Sequence, residues 1–210
     1  MLTLHHCANA RSYRVLWLLE EMGLPYELKT MAFPPRFREE GYLDLNPMGT
    51  VPTFFDGAAR MTESAAICQY LVTKYGPTDL AVTPDEADYA AYLNFLVMGE
   101  ATLTFPQTVY LRYTFLEPEE RKLPQAAADY TQWFASRFKA AVSLMGDEFA
   151  CAGRFTAADV SLGYAVKLAN AIGLGGAVPA RAQGYWERLK QRPAVLRADA
   201  KEAGKEVVLS

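Results

Sequence analysis

The run Asn46-Pro47-Met48-Gly49-Thr50-Val51-Pro52-Thr53-Phe54-Phe55-Asp56-Gly57-Ala58-Ala59-Arg60-Met61-Thr62-Glu63-Ser64 sets the architecture of the first part of the chain. Thr50 to Phe55 reads as a strand, and Asp56-Gly57 is a strong hairpin signal, so Ala58 to Met61 returns antiparallel. Glu63-Ser64 then opens a helix through Tyr75, which Gly76-Pro77 stops. Upstream, Leu2 to His5 reads as a short strand, and Val15, Leu16, Leu18, Leu19 and Met22 fall at helical spacing. Ser12 is a candidate N-cap for that helix, and Gly23 with Pro25 closes it. Tyr26 to Met31 alternates as a second strand, and the intervening helix makes a right-handed parallel crossover the expected connection. An irregular, charged segment leads from there to Asn46. The order is β-α-β-α-β-β-α, a parallel half and a hairpin half in about 75 residues.

Downstream the signals change. Residues 76–84, GPTDLAVTP, read as a linker, and no convincing strand follows. A long helix is predicted over Asp85–Tyr113, bent or broken at Gly99 and Pro106, and a second over Pro118–Met145. A third begins after Thr156, which can cap it while Asp159 reaches back as a shorter capping-box acid. Shorter helices are predicted over Ala180–Gln191 and Ala194–Ala203. The predicted domains are therefore an α/β domain over 1–77, a linker over 78–84 and an all-helical domain over 85–210.

Composition excludes several classes of function. A net charge of −3 without a Lys/Arg stripe leaves no electrostatic footprint for nucleic acid. No apolar run is long enough to span a bilayer, and no basic region followed by an apolar one precedes the first strand. Cys7, Cys68 and Cys151 form neither a redox pair nor a metal-ligand pattern. His5 and His6 are adjacent, so in a strand they point to opposite faces and cannot chelate one metal. The expectation is a soluble, cytoplasmic protein with no metal and no membrane or nucleic-acid partner.

These pieces together resemble a cytosolic glutathione transferase, and the resemblance extends over nearly the whole chain. It is carried by Asn46 to Phe54, by Met61-Thr62-Glu63-Ser64-Ala65-Ala66-Ile67, by Arg14-Val15-Leu16-Trp17-Leu18-Leu19-Glu20-Glu21 and by the helix capped at Thr156. The resemblance implies a thioredoxin-like first domain, glutathione as co-substrate, and a homodimer pairing the first domain of one subunit with the second of the other. It also implies a cis Val51-Pro52 bond, which would turn the Val51 N–H and C=O toward the cysteinyl backbone of glutathione. Glu63 would meet the γ-glutamyl ammonium, and Ser64 with the free N–H groups behind it the γ-glutamyl carboxylate. Read without the resemblance, Ser64 only caps and Glu63 only complements the helix dipole. Arg11, Arg36 and Arg38 are candidates for the glycyl carboxylate. Trp17 is read as packing.

At the thiol position the chain departs from the family. A glutathione thiol has a pKa of about 8.5, and lowering it by one to two units is worth about 1.4–2.7 kcal/mol. In the family a Tyr or Ser hydroxyl serves this purpose, and the cysteine-bearing classes form a mixed disulfide with glutathione instead, whereas the matching position here is Asn9, followed by Ala10. An Asn9 amide can donate to a thiolate, and Ser12 is the other candidate, with capping as its alternative role. Asn9 can also simply shape the turn. Cys7 falls two residues before the matching position and reads as a buried thiol rather than a redox centre. Phe105, Tyr110, Tyr113 and Phe115 are the aromatic candidates for an apolar electrophile, with core packing as their alternative. Competing functions on the same scaffold are a non-catalytic binding or regulatory module and a glutathione-dependent isomerase, lyase or dehalogenase.

Overall fold

The structure, a computed structural model, describes residues 1–203. The chain divides into two compact units, Met1–Thr78 joined by the described residues from Lys190 onward, and Asp79–Leu189. Residues 204–210, the end of the helical domain expected over 85–210, lie outside the described residues.

The first unit is built on a four-stranded sheet of order β2-β1-β3-β4, with β1 Leu2–His6, β2 Tyr26–Thr30, β3 Thr53–Asp56 and β4 Ala59–Met61. β1 pairs parallel to β2 and antiparallel to β3, and β3 pairs antiparallel to β4, as the helix and the Asp56-Gly57 turn require. Helix α1, Tyr13–Met22, supplies the crossover and is buried from Tyr13 through Glu20. The irregular segment before the Asn46 turn folds into two one-turn helices, α2 Pro35–Arg38 and α3 Tyr42–Leu45. Helix α4 follows over Ser64–Lys74.

The helix expected at Ala194–Ala203, here α10 Pro193–Glu202, belongs to this unit rather than to the helical one. Its partner is α1, and side chains of opposite charge explain the choice. Arg192 donates two hydrogen bonds to the Glu21 carboxylate, at 2.6 and 2.9 Å. Arg197 donates to Glu20 Oε2 at 2.7 Å, Lys201 pairs with Glu20 Oε1, and Tyr26 OH donates to the same oxygen at 2.5 Å. Burial pushes the Glu20 pKa up, but hydrogen bonds from Lys201, Tyr26 and Arg197 outweigh it and hold the carboxyl below its ordinary range. Beneath this polar seam Ala194, Val195 and Ala198 are buried. Sequence periodicity identifies α10 as a helix but carries no address for its partner.

In the second unit the long predicted helix runs as α5 Tyr89–Met98, a π-helical stretch Gly99–Thr104, α6 Phe105–Leu111 and a second π-helical stretch Arg112–Leu116. Gly99 marks the first change of winding, and Pro106 sits in the first turn of α6, where its missing N–H is harmless. A Cβ on Gly99 would come within 2.6 Å of the Ser161 backbone, so glycine allows this stretch its close approach to the helix that carries Ser161. Helix α7 covers Pro124–Leu144, α8 Ala157–Ala171 and α9 Ala180–Leu189. The capping box at Thr156 is formed: Ala158 N–H donates to Thr156 Oγ1, and Thr156 N–H donates to Asp159 Oδ2 at 2.8 Å. The predicted linker is not loose. Arg154 donates to the carbonyls of Asp79 and Ala81, and Ala157 N–H to that of Leu80, which fastens this stretch to the second unit. No helix among the described residues is long and apolar enough to cross a membrane.

Candidate functional site

Register brings the predicted glutathione-binding residues to one end of the sheet. Phe54 pairs with Met61, and carrying that antiparallel register three places outward sets Val51 opposite Ser64. His5 pairs with Thr53, and two further places set Cys7 opposite Val51. Cys7, Tyr42 and Val51 are in fact packed into one apolar cluster, with Ala10, Met31, Phe33 and Leu45 against it. The turn after β1, the Val51 backbone and the start of α4 thus converge where β1 ends and β3 begins.

The Val51-Pro52 bond is cis, as the resemblance implies. Among the described residues no hydrogen bond reaches the Val51 backbone, so its N–H and C=O stay available to a ligand. Two residues missed in the sequence hold this segment in place. Tyr42 OH donates to Thr50 O at 2.7 Å, and the Asn46 amide donates to Thr50 O at 2.8 Å and to Thr53 Oγ1 at 3.0 Å. The Asn46 carbonyl oxygen in turn accepts from Met48 N–H at 3.1 Å. Gly49 has φ +65°, and a Cβ there would meet Arg36 Cβ at 2.9 Å. Arg36 therefore lies against the turn before Val51. Arg38 is exposed, and both arginines line an open hollow of about 540 Å³ with Glu39, Glu40 and Asp44. Arg11, the third candidate, is half-buried in the turn before α1.

At the start of α4, Glu63 is exposed and occupies the N-cap position without capping through its side chain. Ser64 does not cap either. Its hydroxyl is buried and accepts a hydrogen bond from Arg14 Nη1 at 3.2 Å. Arg14, which belongs to the sequence signature but has no assigned role there, is completely buried beneath this helix start. A guanidinium and a helix N-terminus together make this spot attractive to a carboxylate.

The turn over Cys7–Ser12 differs most from expectation. Ser12 stands at the N-cap of α1 but makes no side-chain cap. Its fully buried hydroxyl lies 2.8 Å from His6 Nδ1 and accepts from Cys7 N–H at 3.3 Å. His6 turns inward, while His5 packs against Tyr42 and Phe55. Asn9 adopts φ +57°, a left-handed conformation that asparagine tolerates better than most residues, and remains partly exposed. Burial, with a smaller contribution from Glu39, pushes the Cys7 thiol up to about 12, so it is not a thiolate at neutral pH.

On the second unit the aromatic candidates separate. Tyr110 meets Phe115 edge-to-face at 6.0 Å, whereas Phe105 is half exposed and pairs with Tyr130, which stacks on Trp133. Tyr113 lies beneath the Arg112 guanidinium. Phe105 and Tyr110 lie on α6 and Tyr113 and Phe115 in the second π-helical stretch, whose wider winding breaks the spacing of a continuous α-helix between them. An open hollow of about 490 Å³ elsewhere on this unit, lined in part by Asp88, Phe95, Phe149 and Cys151, contains none of them.

Comparison with known proteins identifies the family. The family described as "Glutathione S-transferase, N-terminal domain" matches residues 10–74. The chain is 38% identical over 103 residues to glutathione S-transferase 3 of Schizosaccharomyces pombe, covering 49% of this chain and 43% of that protein. It is 34% identical over 157 residues to glutathione S-transferase hmp2 of Hypomyces subiculosus, covering 68% of this chain and 73% of that one. Among solved structures, a glutathione transferase homolog from Lodderomyces elongisporus, crystallised with two GSH per subunit, superposes with a TM-score of 0.82 at 21% identity, over 95% of this chain and 98% of that one. The fold and site define a thioredoxin-like domain joined to a helical one. The chain belongs to the glutathione S-transferase family.

Proposed function

We propose that the protein binds glutathione on its first unit and promotes attack of the glutathione thiolate on an apolar electrophile. The observation that carries this reading is the convergence, at one end of the sheet, of an unpaired Val51 backbone and a helix start whose Ser64 rests on the buried Arg14. Val51 and Pro52 supply a strand-like rung for the cysteinyl unit. Ser64 and the α4 N–H groups take the γ-glutamyl carboxylate, and exposed Glu63 takes its ammonium. Arg36, lying against the turn before Val51, is the preferred partner for the glycyl carboxylate over Arg38 and Arg11. Asn9 donates its amide to the thiolate, and Ser12 acts from beneath by holding the turn. Tyr110, Tyr113 and Phe105 remain the candidates for the electrophile. The catalytic terms are thiolate stabilisation and proximity.

The protein works as a homodimer in this reading. Exposed Phe37, Leu43 and Met48 on the first unit and Val97, Phe105 and Trp133 on the second supply apolar area for self-association. Its three free, buried cysteines suit the reducing cytoplasm. The test is retention on immobilised glutathione, followed by conjugation of glutathione to a generic aryl halide. Retention with turnover is the expected result. Retention without turnover would favour the binding-module reading, to which Asn9 in place of a hydroxyl or thiol lends its one argument.

A further inference from the structure

Glu202, at the end of α10, is a buried carboxylate with only 5% of its surface exposed. Its Oε1 accepts a hydrogen bond from Asn9 N–H at 2.9 Å and lies 3.0 Å from His6 Nε2, a contact outside hydrogen-bond alignment. On its other side the His6 ring meets Ser12 Oγ at 2.8 Å, and both His6 and Ser12 are fully buried. One turn earlier on α10, Asp199 accepts from Tyr13 OH at 2.6 Å, directly after the same turn. Burying a carboxylate costs free energy unless it is paired and hydrogen-bonded, and this one is committed to the turn. Asn9 is one of two non-glycine residues at positive φ among the described residues, a conformation that persists only when its surroundings impose it.

We propose that Glu202 is a positioning residue for the glutathione thiol site. It fixes the Asn9 peptide by accepting its N–H, with the buried His6–Ser12 pair packed behind the carboxylate. The inference rests on the reading of the Cys7–Ser12 turn as the place where the thiolate is stabilised. Its mechanism is geometric. Without the carbonyl-type acceptor at position 202, the Asn9 amide loses its aim. A bare negative charge at the same place would act in the opposite direction, because it disfavours a nearby thiolate.

The two roles are separable by substitution in the full chain, with ultraviolet titration of bound glutathione and calorimetry as readouts. Glu202→Ala should raise the pKa of the bound thiol by about half a unit or more, while the glutathione dissociation constant stays within about twofold. Glu202→Gln keeps an oxygen that accepts the Asn9 N–H and removes the charge, so it should bring the thiol value back to the parent's or slightly below it. If both variants lower the thiol pKa, Glu202 acts by charge alone and the proposal fails. It also fails if the thermal midpoint drops while the thiol pKa stays unmoved in both. Should Glu202→Ala not fold, Glu202→Asp keeps the charge one methylene too short and carries the same expected rise. Absence of glutathione binding by the parent would sink the functional reading and this inference together, whereas binding with an unmoved thiol in Glu202→Ala sinks this inference alone.

Discussion

Asn9 combines a hydrogen-bonding amide with a backbone at φ +57°, and the two must be separated to learn what it does. Alanine removes the amide but is also strained in this conformation, by about 1–2 kcal/mol, so it mixes chemistry with stability. Glycine removes the amide and keeps the backbone. Asn9→Gly should therefore raise the pKa of bound glutathione by about one unit, the worth of one good donor, and leave its dissociation constant nearly unchanged. An unmoved thiol pKa in that variant would transfer the role to backbone N–H groups and the helix dipole. Glu63→Ala and Ser64→Ala act on binding instead. Each should weaken glutathione affinity by about ten- to hundredfold, the cost of one charge-assisted contact of about 1.5–3 kcal/mol. Calorimetry in which both bind like the parent would show that the γ-glutamyl end sits elsewhere. Ser64→Ala should in addition lower stability, because buried Arg14 loses an acceptor there.

Among the elements, the hairpin over β3 and β4 and helix α4 are tied by Asp56. Its Oδ2 accepts from Lys74 at 2.6 Å, Tyr75 at 2.7 Å and Tyr70 at 2.9 Å. The hydrogen bonds from Lys74 and Tyr75 outweigh partial desolvation and hold the carboxyl at about 2. A depressed folded-state value contributes stability above the ordinary carboxylate pKa of about 4 and loses it as pH falls toward 2. Asp56→Asn should be less stable than the parent at neutral pH and should lose less stability than the parent between pH 4 and 2, as measured by thermal melts in acid. The hairpin was legible because Asp-Gly after a strand has few other uses, and the capping box at Thr156 because its two side chains lie three residues apart. Local chemistry of that kind is written in order along the chain. The Ser12 hydroxyl stands at an N-cap position yet pairs with His6 at the end of β1, a contact set by how the turn folds back and not by residue type. For the π-helical stretches around α6 the sequence offers only Gly99 as a sign of disturbance, and the close approach of Ser161 to it comes from another helix. The placement of α10 depends on Glu20 and Glu21 meeting cations more than 170 residues away, and no local window contains both.

For the whole molecule, the expected assembly is a stable dimer at micromolar concentration, and sedimentation showing only a monomer there would remove that part of the reading. The exposed Phe37, Leu43 and Met48 give a focused variant: replacing all three by serine should shift the equilibrium toward monomer without moving the first unit's sheet. A different consequence follows from α10 lying on α1. The first unit is assembled from an early and a late part of the sequence, with the whole helical unit synthesised in between. During translation, the sheet and α1 can form as soon as residues up to Thr78 are free, but Glu20 and Glu21 then face water without their arginines, and the Asn9 turn has no carboxylate beneath it. The nascent chain thus carries an unfinished site past the folding of its second unit. The Cys7–Ser12 turn is closed only by the last helix described.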